Sequence, residues 1–336
     1  MRTNAEFSVR GLRISSVILG AATVLALSGS AWAQAPAPGV NPTTPGNLSA
    51  NPNAGKKPEI ADAEKSPWSI RLSGGGIYQF DTDLRGNPGS YSVARGDTAF
   101  GLGYRATESL RLTLDVGTEV SWYEFDNATT ILAPSAKPFH VMYQTDINPG
   151  IRFDIDDNWF VLAGGIIQFS GERKADTGKS FTGGAFGAVG YKISNDLTLY
   201  GGVLGKSRLE DDALVVPVIG VNWRITENLR LDTRGLGAVL TMTLKPGLRV
   251  FVDATYESRE YRLSDESFLR EGVVRDRQIP VGIGAGFDLC KNFTLTVRGG
   301  VNVWQQFTVD TDNEVRVNRF RSDPSGFIGL RGEIRF

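Results

Sequence analysis

The stretch FIGLRGEIRF, residues 327–336, decides the fold. In steps of two it sets Ile328, Leu330, Gly332, Ile334 and Phe336 on one side. Gly329, Arg331, Glu333 and Arg335 fall on the other. A period of two is the mark of a strand with two unlike faces, one greasy and one ionic.

Working back along the chain, the same pattern recurs as far as Trp68. WSIRLSGGGIYQF (68–80) alternates Trp68, Ile70, Leu72, Tyr78 and Phe80 with Ser69, Arg71, Ser73 and Gln79. Such segments exceed the ~5–6 residues of a soluble strand. They approach the ~9–11 residues that a tilted strand needs to cross hydrocarbon. The joints repeat too: YRATESLRLTL, FDIDDNWFVL, YKISNDLTLY, NWRITENLRLD and FDLCKNFTLTV each pass from a strand end through a few polar residues into a new strand. These read as tight hairpins. The polar stretches 81–92, 126–138, 171–179, 207–212, 258–273 and 308–322 read as longer loops at the opposite end.

The expected fold is all-β: a closed antiparallel up-and-down transmembrane β-barrel of about fourteen strands, with twelve and sixteen as alternatives. Inside a bilayer an unpaired backbone N–H or C=O costs several kcal/mol, so a spanning sheet must close on itself. The difficult stretch is LRLDTRGLGAVLTMTL (229–244), read as two strands split by a tight hairpin at Gly235 to Gly237. A soluble sandwich fits less well, because its strands are shorter and its connections lack this asymmetry.

The composition is compatible with export. One Cys (Cys290) and one His (His140) exclude a disulfide framework and a multi-Cys or His-rich metal site. Residues 1–33 carry Arg2, Arg10 and Arg13, then ISSVILGAATVLAL, then SGSAWA. That is the order of a secretory leader, cleaved after Ala33. Without it 33 basic residues face 36 acidic ones, from totals of 36 and 37. So near-neutral a chain gives no reason to expect nucleic acid. Residues 34–66, rich in Pro, Ala and Asn, read as a disordered periplasmic segment or, alternatively, a plug. The barrel occupies 67–336. Glycine, at 40 of 336 residues, is well above the usual ~7%.

The ending FIGLRGEIRF resembles the signature of outer-membrane β-barrel proteins, carried here by Phe336, Ile334, Gly332, Leu330 and Ile328. The region from Trp68 onward is similar to uncharacterised porin-like families with repeated L-x-L hairpins. The resemblance implies location in a bacterial outer membrane, with its lipid and lipopolysaccharide and the barrel-assembly machinery as partners. It implies no cargo.

The inward charges are the functional lead. Alternation places Arg111, Asp115 and Glu119 inside, opposite Leu110, Leu112 and Leu114. It does the same for Arg152 and Asp154, for Arg230, Asp232 and Arg234, and for Arg249 and Asp253. Arg105 and Arg71 belong to the same set. A lumen of mixed sign would pass small hydrophilic solutes by passive diffusion, as a porin does. The alternative is a structural or surface-binding barrel whose charges pair and close the lumen. A rim enzyme is weaker still. His140 sits near Ser135 and Asp146 in sequence, but no nucleophile motif accompanies them, so the chain is read as a non-enzyme. DTDNE (310–314) and DIDDN (154–158) lack the Gly and distal Glu of a calcium loop. Neither a metal nor a cofactor is expected.

Overall fold

The computed structural model describes residues 66–132 and 137–336. The expected leader and almost all of the segment 34–66 lie outside those residues. The strands are β1 (Trp68–Arg85), β2 (Ser90–Arg105), β3 (Leu110–Asp126), β4 (Val141–Asp154), β5 (Trp159–Glu172) and β6 (Phe181–Lys192). Then come β7 (Leu197–Arg208), β8 (Asp211–Arg224), β9 (Leu229–Arg234), β10 (Gly237–Lys245) and β11 (Leu248–Thr255). The last are β12 (Glu257–Arg262), β13 (Val273–Cys290), β14 (Phe293–Asp310), β15 (Arg316–Ser322) and β16 (Ser325–Arg335). Only Tyr256 separates β11 from β12, and only Asp323 and Pro324 separate β15 from β16. The sixteen segments are therefore fourteen staves.

Sequential neighbours pair antiparallel, and β16 returns to β1 from Arg71↔Arg335 to Gln79↔Phe327, closing the barrel. The expected hairpin in 229–244 is present: Arg234 pairs with Gly237, and Gly235 turns with φ +57°. A left-handed φ costs glycine little, for want of a Cβ.

Residues on the outer face are apolar. Ile70, Leu72, Leu112, Ile151, Val189, Val203, Val215, Ile219, Ile283 and Leu330 are all exposed. Aromatic pairs edge this band. Trp68 meets Tyr104 at 4.3 Å and Trp159 meets Tyr191 at 4.6 Å at the short-turn end. Tyr78 meets Phe80 at 5.5 Å and Phe169 meets Phe181 at 5.4 Å toward the long-loop end. Such girdles mark the two interfaces of a bilayer.

Several expected loops are strand instead. β1 and β2 continue through most of 81–92, β12 takes 257–262, and β15 takes 316–322. The turn between β7 and β8 is only Leu209 and Glu210. In β12 the charges are buried against partners inside the barrel, whereas Asp81, Asp83 and Arg85 of β1 and Arg316, Arg319 and Arg321 of β15 are exposed.

The long-loop end is built differently from the rest. After Tyr256 the chain leaves the plane of β10 and crosses to β5, pairing in parallel at Arg262↔Gly171. Ser170 Oγ adds a hydrogen bond to the carbonyl of Glu260. A narrower ring of β1–β5 and β12–β15 results, with β6–β10 left outside it. The ring is packed with Tyr91, Tyr123, Phe125, Phe139, Met142, Tyr261, Val274, Phe307 and Phe320, each at most 7% exposed.

Candidate functional site

Below that core the walls of the narrow ring touch across the lumen. Arg95 Nη2 on β2 donates to Asp276 Oδ2 on β13 at 2.7 Å. Tyr123 on β3 donates its hydroxyl to the same oxygen at 2.8 Å. Arg259 on β12 donates through Nε to Glu119 on β3 at 2.8 Å and through Nη1 to Glu257 at 3.1 Å. The strand pairs β2–β13, β3–β13 and β3–β12 are not neighbours in the sheet, and Glu257 shares β12 with Arg259. Arg259 and Asp276 are fully buried. The lumen is therefore closed at this level by hydrogen-bonded charges and sealed above them by an apolar core. A cavity of about 140 Å³ remains beside Asp97, Glu257 and Arg298.

Toward the short turns the charges pair along the wall. Arg71 reaches Asp115 at 2.6 Å, spanning Gly101 on the intervening strand. Arg298 donates through Nε to Asp253 at 3.0 Å, spanning Gly282. A Cβ on either glycine would stand 2.7 Å from one of these side-chain atoms. Arg152 holds Asp154 at 2.7 Å, Arg230 holds Asp232 at 2.8 Å, and Arg249 approaches Asp288 at 3.4 Å. Arg234 ends β9 opposite Gly237. Arg111 stands apart, because its buried Nε has no hydrogen-bond partner. The candidate lumen residues thus distribute over the wall as separate pairs and do not converge on one site.

Sequence reasoning missed Arg259, Glu260, Arg275 and Asp276, whose segments fell in or beside a presumed loop. It also missed the apolar side of the lumen. The inward rows across β5–β8 are Phe160–Gly190–Tyr200–Gly220, Leu162–Ala188–Gly202–Val218 and Gly164–Phe186–Leu204–Val216. The rings lie against the wall. A Cβ on Gly190 would sit 2.0 Å from the Phe160 ring, and one on Gly220 would sit 1.6 Å from that of Tyr200. The inner face of β5–β8 is therefore an apolar panel, in which Phe160, Leu162, Ala188, Tyr200 and Val216 are buried.

The panel ends at an open edge. β8 pairs with β7 along its length, but with β9 only at Asn222, Trp223 and Arg224. The N–H of Arg224 points to Asp196 beside β7, at 2.7 Å. The N–H of Val221 points to Thr233 on β9, at 2.8 Å. Backbone groups alternate sides along a strand. Those of Ala213, Val215, Pro217 and Ile219 therefore face the space above the short β9–β10 hairpin. Proline removes one donor from that edge, as edge strands often do. The side chains of Val215 and Ile219 are 69% and 77% exposed on the outer face, so this edge borders the apolar band. Non-paired backbone at membrane depth is tolerated where it lines a wet cavity or is covered by protein. A side window in the barrel wall meets that condition.

The tip of the β7–β8 hairpin is latched to β12 and β13. Glu260 accepts from Arg275 Nε at 2.6 Å, from Arg208 at 3.2 Å and from the N–H of Leu209 at 3.0 Å. Arg275 also donates to the carbonyl of Leu209 at 2.6 Å and pairs with Asp310. Arg262 binds Glu210 at 2.5 Å. His140, at the long-loop rim, holds its Nδ1 2.6 Å from the carbonyl of Tyr123. Among the described residues no group of His, Cys, Asp and Glu is disposed to hold a metal.

A closed antiparallel barrel with an apolar outer band, aromatic girdles and short turns at one end is a transmembrane β-barrel of the outer-membrane type. No family model and no curated protein matches the chain. Solved structures similar to it include an outer-membrane channel from Pseudomonas putida F1, at 9% identity and a TM-score of 0.46, covering 84% of this chain and 100% of that one. The toluene transporter TodX of P. putida is similar at 8% identity and 0.41, covering 81% and 90%. A Pseudomonas aeruginosa FadL homologue is similar at 9% and 0.39, covering 80% and 89%. Likeness at this level assigns no cargo to this chain.

Proposed function

We propose that this barrel is an outer-membrane channel whose cargo moves along the apolar inner panel of β5–β8 and through the side window at the free edge of β8. The single observation that carries the reading is that edge. Ten or so residues of β8 lack a backbone partner on one side, and the apolar panel leads to them. The closed axial path supports the same reading, because Arg95–Asp276 and Glu119–Arg259 bridge the lumen where a straight pore would run. Passive diffusion of small hydrophilic solutes through the mixed-charge lumen is the second reading. It is favoured by the charged pairs over Gly101 and Gly282, which lie along the wall of the short-turn half.

The test is uptake of a radiolabelled apolar compound, naphthalene, by cells with an intact lipopolysaccharide layer. Expression of the protein should raise uptake several-fold, and Ala188→Trp, which fills the panel, should return it to background. Folding of the variant is checked by heat-modifiable migration in gels. Equal uptake by the wild type and the folded Ala188→Trp protein overturns the proposal. Large ohmic conductance in planar bilayers, unaffected by Ala188→Trp, would favour the hydrophilic reading instead.

A further inference from the structure

The cavity of about 140 Å³ borders the charged bridges that close the lumen, with Arg95, Glu119 and Arg259 in its lining. The rest of the lining comes from β1, β2, β12, β13, β14 and β16, and none from the panel of β5–β8. A cavity of about 150 Å³ admits benzene, so this one has room for a solute of about six non-hydrogen atoms. Its charges do not balance. Four guanidinium groups line it, those of Arg95, Arg259, Arg298 and Arg331. Their carboxylate partners number five. Arg95 pairs with Asp276, Arg298 with Asp253, Arg331 with Asp97, and Arg259 with both Glu119 and Glu257. Glu119, Glu257 and Asp276 are each at most 2% exposed, so water does little to offset the spare negative charge. A buried charge without a counter-charge is costly.

The unused hydrogen-bonding capacity has the same sign. Glu257 accepts through Oε2 from Arg259 at 3.1 Å and from Gln278 at 2.5 Å, and no hydrogen bond reaches its Oε1 among the described residues. Gln79 and Asn302 also line the cavity, at 0% and 3% exposure, and Gln79 Oε1 and Asn302 Oδ1 have no partner. Among the lining side chains the one buried donor left over is Arg95 Nε. Acceptors therefore outnumber donors. Ile77, Pro280 and Phe327 give the cavity an apolar side. A primary ammonium has three donors and no acceptor, and a short carbon chain behind it suits that side.

We infer that this cavity binds a short alkylammonium ion, its nitrogen held by Glu257 and Asp97 and its chain lying against Ile77 and Phe327. The single positive charge cancels the spare carboxylate. A zwitterion would leave that charge uncancelled, and an anion would add to it. A bare metal ion fits less well, because among the described residues no group of His, Cys, Asp and Glu is disposed to hold one. The site does not depend on the path proposed above, since it shares no strand with the apolar panel. An occupant joining Asp97 on β2 to Glu257 on β12 also braces the closed bridges, so binding stabilises the folded barrel by mass action.

The test is calorimetric titration of the full-chain protein in dodecyl maltoside with butylamine, butanol, butyrate and γ-aminobutyrate, which share one chain length. Near neutral pH the amine is protonated. Butylamine should bind at least tenfold more tightly than each comparator and should raise the urea midpoint as its concentration rises. Glu257→Gln removes the spare charge and leaves Arg259 paired with Glu119, so it should lose that preference while keeping heat-modifiable migration. Asp97→Asn removes a carboxylate whose partner Arg331 is 30% exposed, a milder change to the fold, and should weaken butylamine at least tenfold. If Glu257→Gln does not fold, Asp97→Asn decides alone. Equal binding of butylamine and butanol by the wild type overturns the inference. So does tighter binding of butyrate or γ-aminobutyrate, or undiminished butylamine binding in either folded variant.

Discussion

Arg259 shows how expensive the closed part of the lumen is to disturb. Its guanidinium is fully buried between Glu119 and Glu257, with no solvent to screen it. Removing one member of such a pair typically costs ~3–5 kcal/mol, whereas replacing both by apolar groups of similar volume is often close to neutral. Arg259→Met should accordingly lower the urea midpoint of the reconstituted barrel by a large margin. The triple change Glu119→Leu, Glu257→Gln and Arg259→Met, which leaves no buried charge of the trio, should recover most of the loss, and two equally unstable proteins would contradict the assignment. Asp156, in the short turn after β4, poses the opposite case at the surface. Its Oδ1 accepts the N–H groups of Asn158 and Trp159, both at 2.7 Å, and these bonds lower the carboxyl pKa. A depressed carboxylate lends stability above its unfolded pKa and loses it as pH falls through the folded value. The gap in urea midpoint between wild type and Asp156→Ala should therefore exist at pH 7 and vanish under strongly acidic conditions.

At the scale of elements, the latch on the β7–β8 hairpin is the most exposed to test. Glu260 joins Arg208, Leu209 and Arg275, and Arg208 is itself a trypsin site held at 15% side-chain exposure. Glu260→Gln should release the tip and allow cleavage after Arg208 in folded protein, while the wild type resists. Equal resistance would show that other contacts hold the tip. This hairpin also marks the boundary of what the sequence discloses. Period-two alternation located nearly every stave, because Leu110, Leu112 and Leu114 against Arg111 and Asp115 leave one register possible. It failed on ESREYR (257–262), where Arg259 and Glu260 put charge on both faces, since both faces are covered by other strands. It placed a strand at DDALVVPVIG (211–220) but did not single out its inner face, where Val216 and Val218 are apolar as Val215 and Ile219 are on the outer. A strand apolar on both faces looks from composition like any other spanning strand. The partners of the buried charges are distant in sequence and come from strands across the ring, as Glu119 and Arg259 do, 140 residues apart yet in contact.

At the scale of the molecule, closure depends on β16 lying between β14 and β1. Phe336 contributes two backbone hydrogen bonds with Ile70, at 2.9 and 3.2 Å, and its ring is exposed at the short-turn end. Ile328, Leu330 and Ile334 share its outer face. Deleting Phe336 removes those bonds and the aromatic together, so insertion into the membrane should fall sharply. Phe336→Tyr keeps the bonds and an interfacial ring and should insert almost as the wild type does. Equal insertion of both, measured by protease protection of assembled protein, would deny the residue a special part in assembly.

The crossing of β12 to β5 has a mechanical consequence. Nine strands around a solid filling resist deformation in the way a corked bottle neck does, while the panel of β6–β10 hangs beside it with only side-chain bonds at its tip. Compliance is thereby confined to one flank of the cylinder. Fluctuation measured by hydrogen exchange should concentrate in residues 205–220, with the neck slowest of all. Any movement that admits cargo is then a hinged shutter swinging on a fixed jamb, and the diameter of the cylinder need not change.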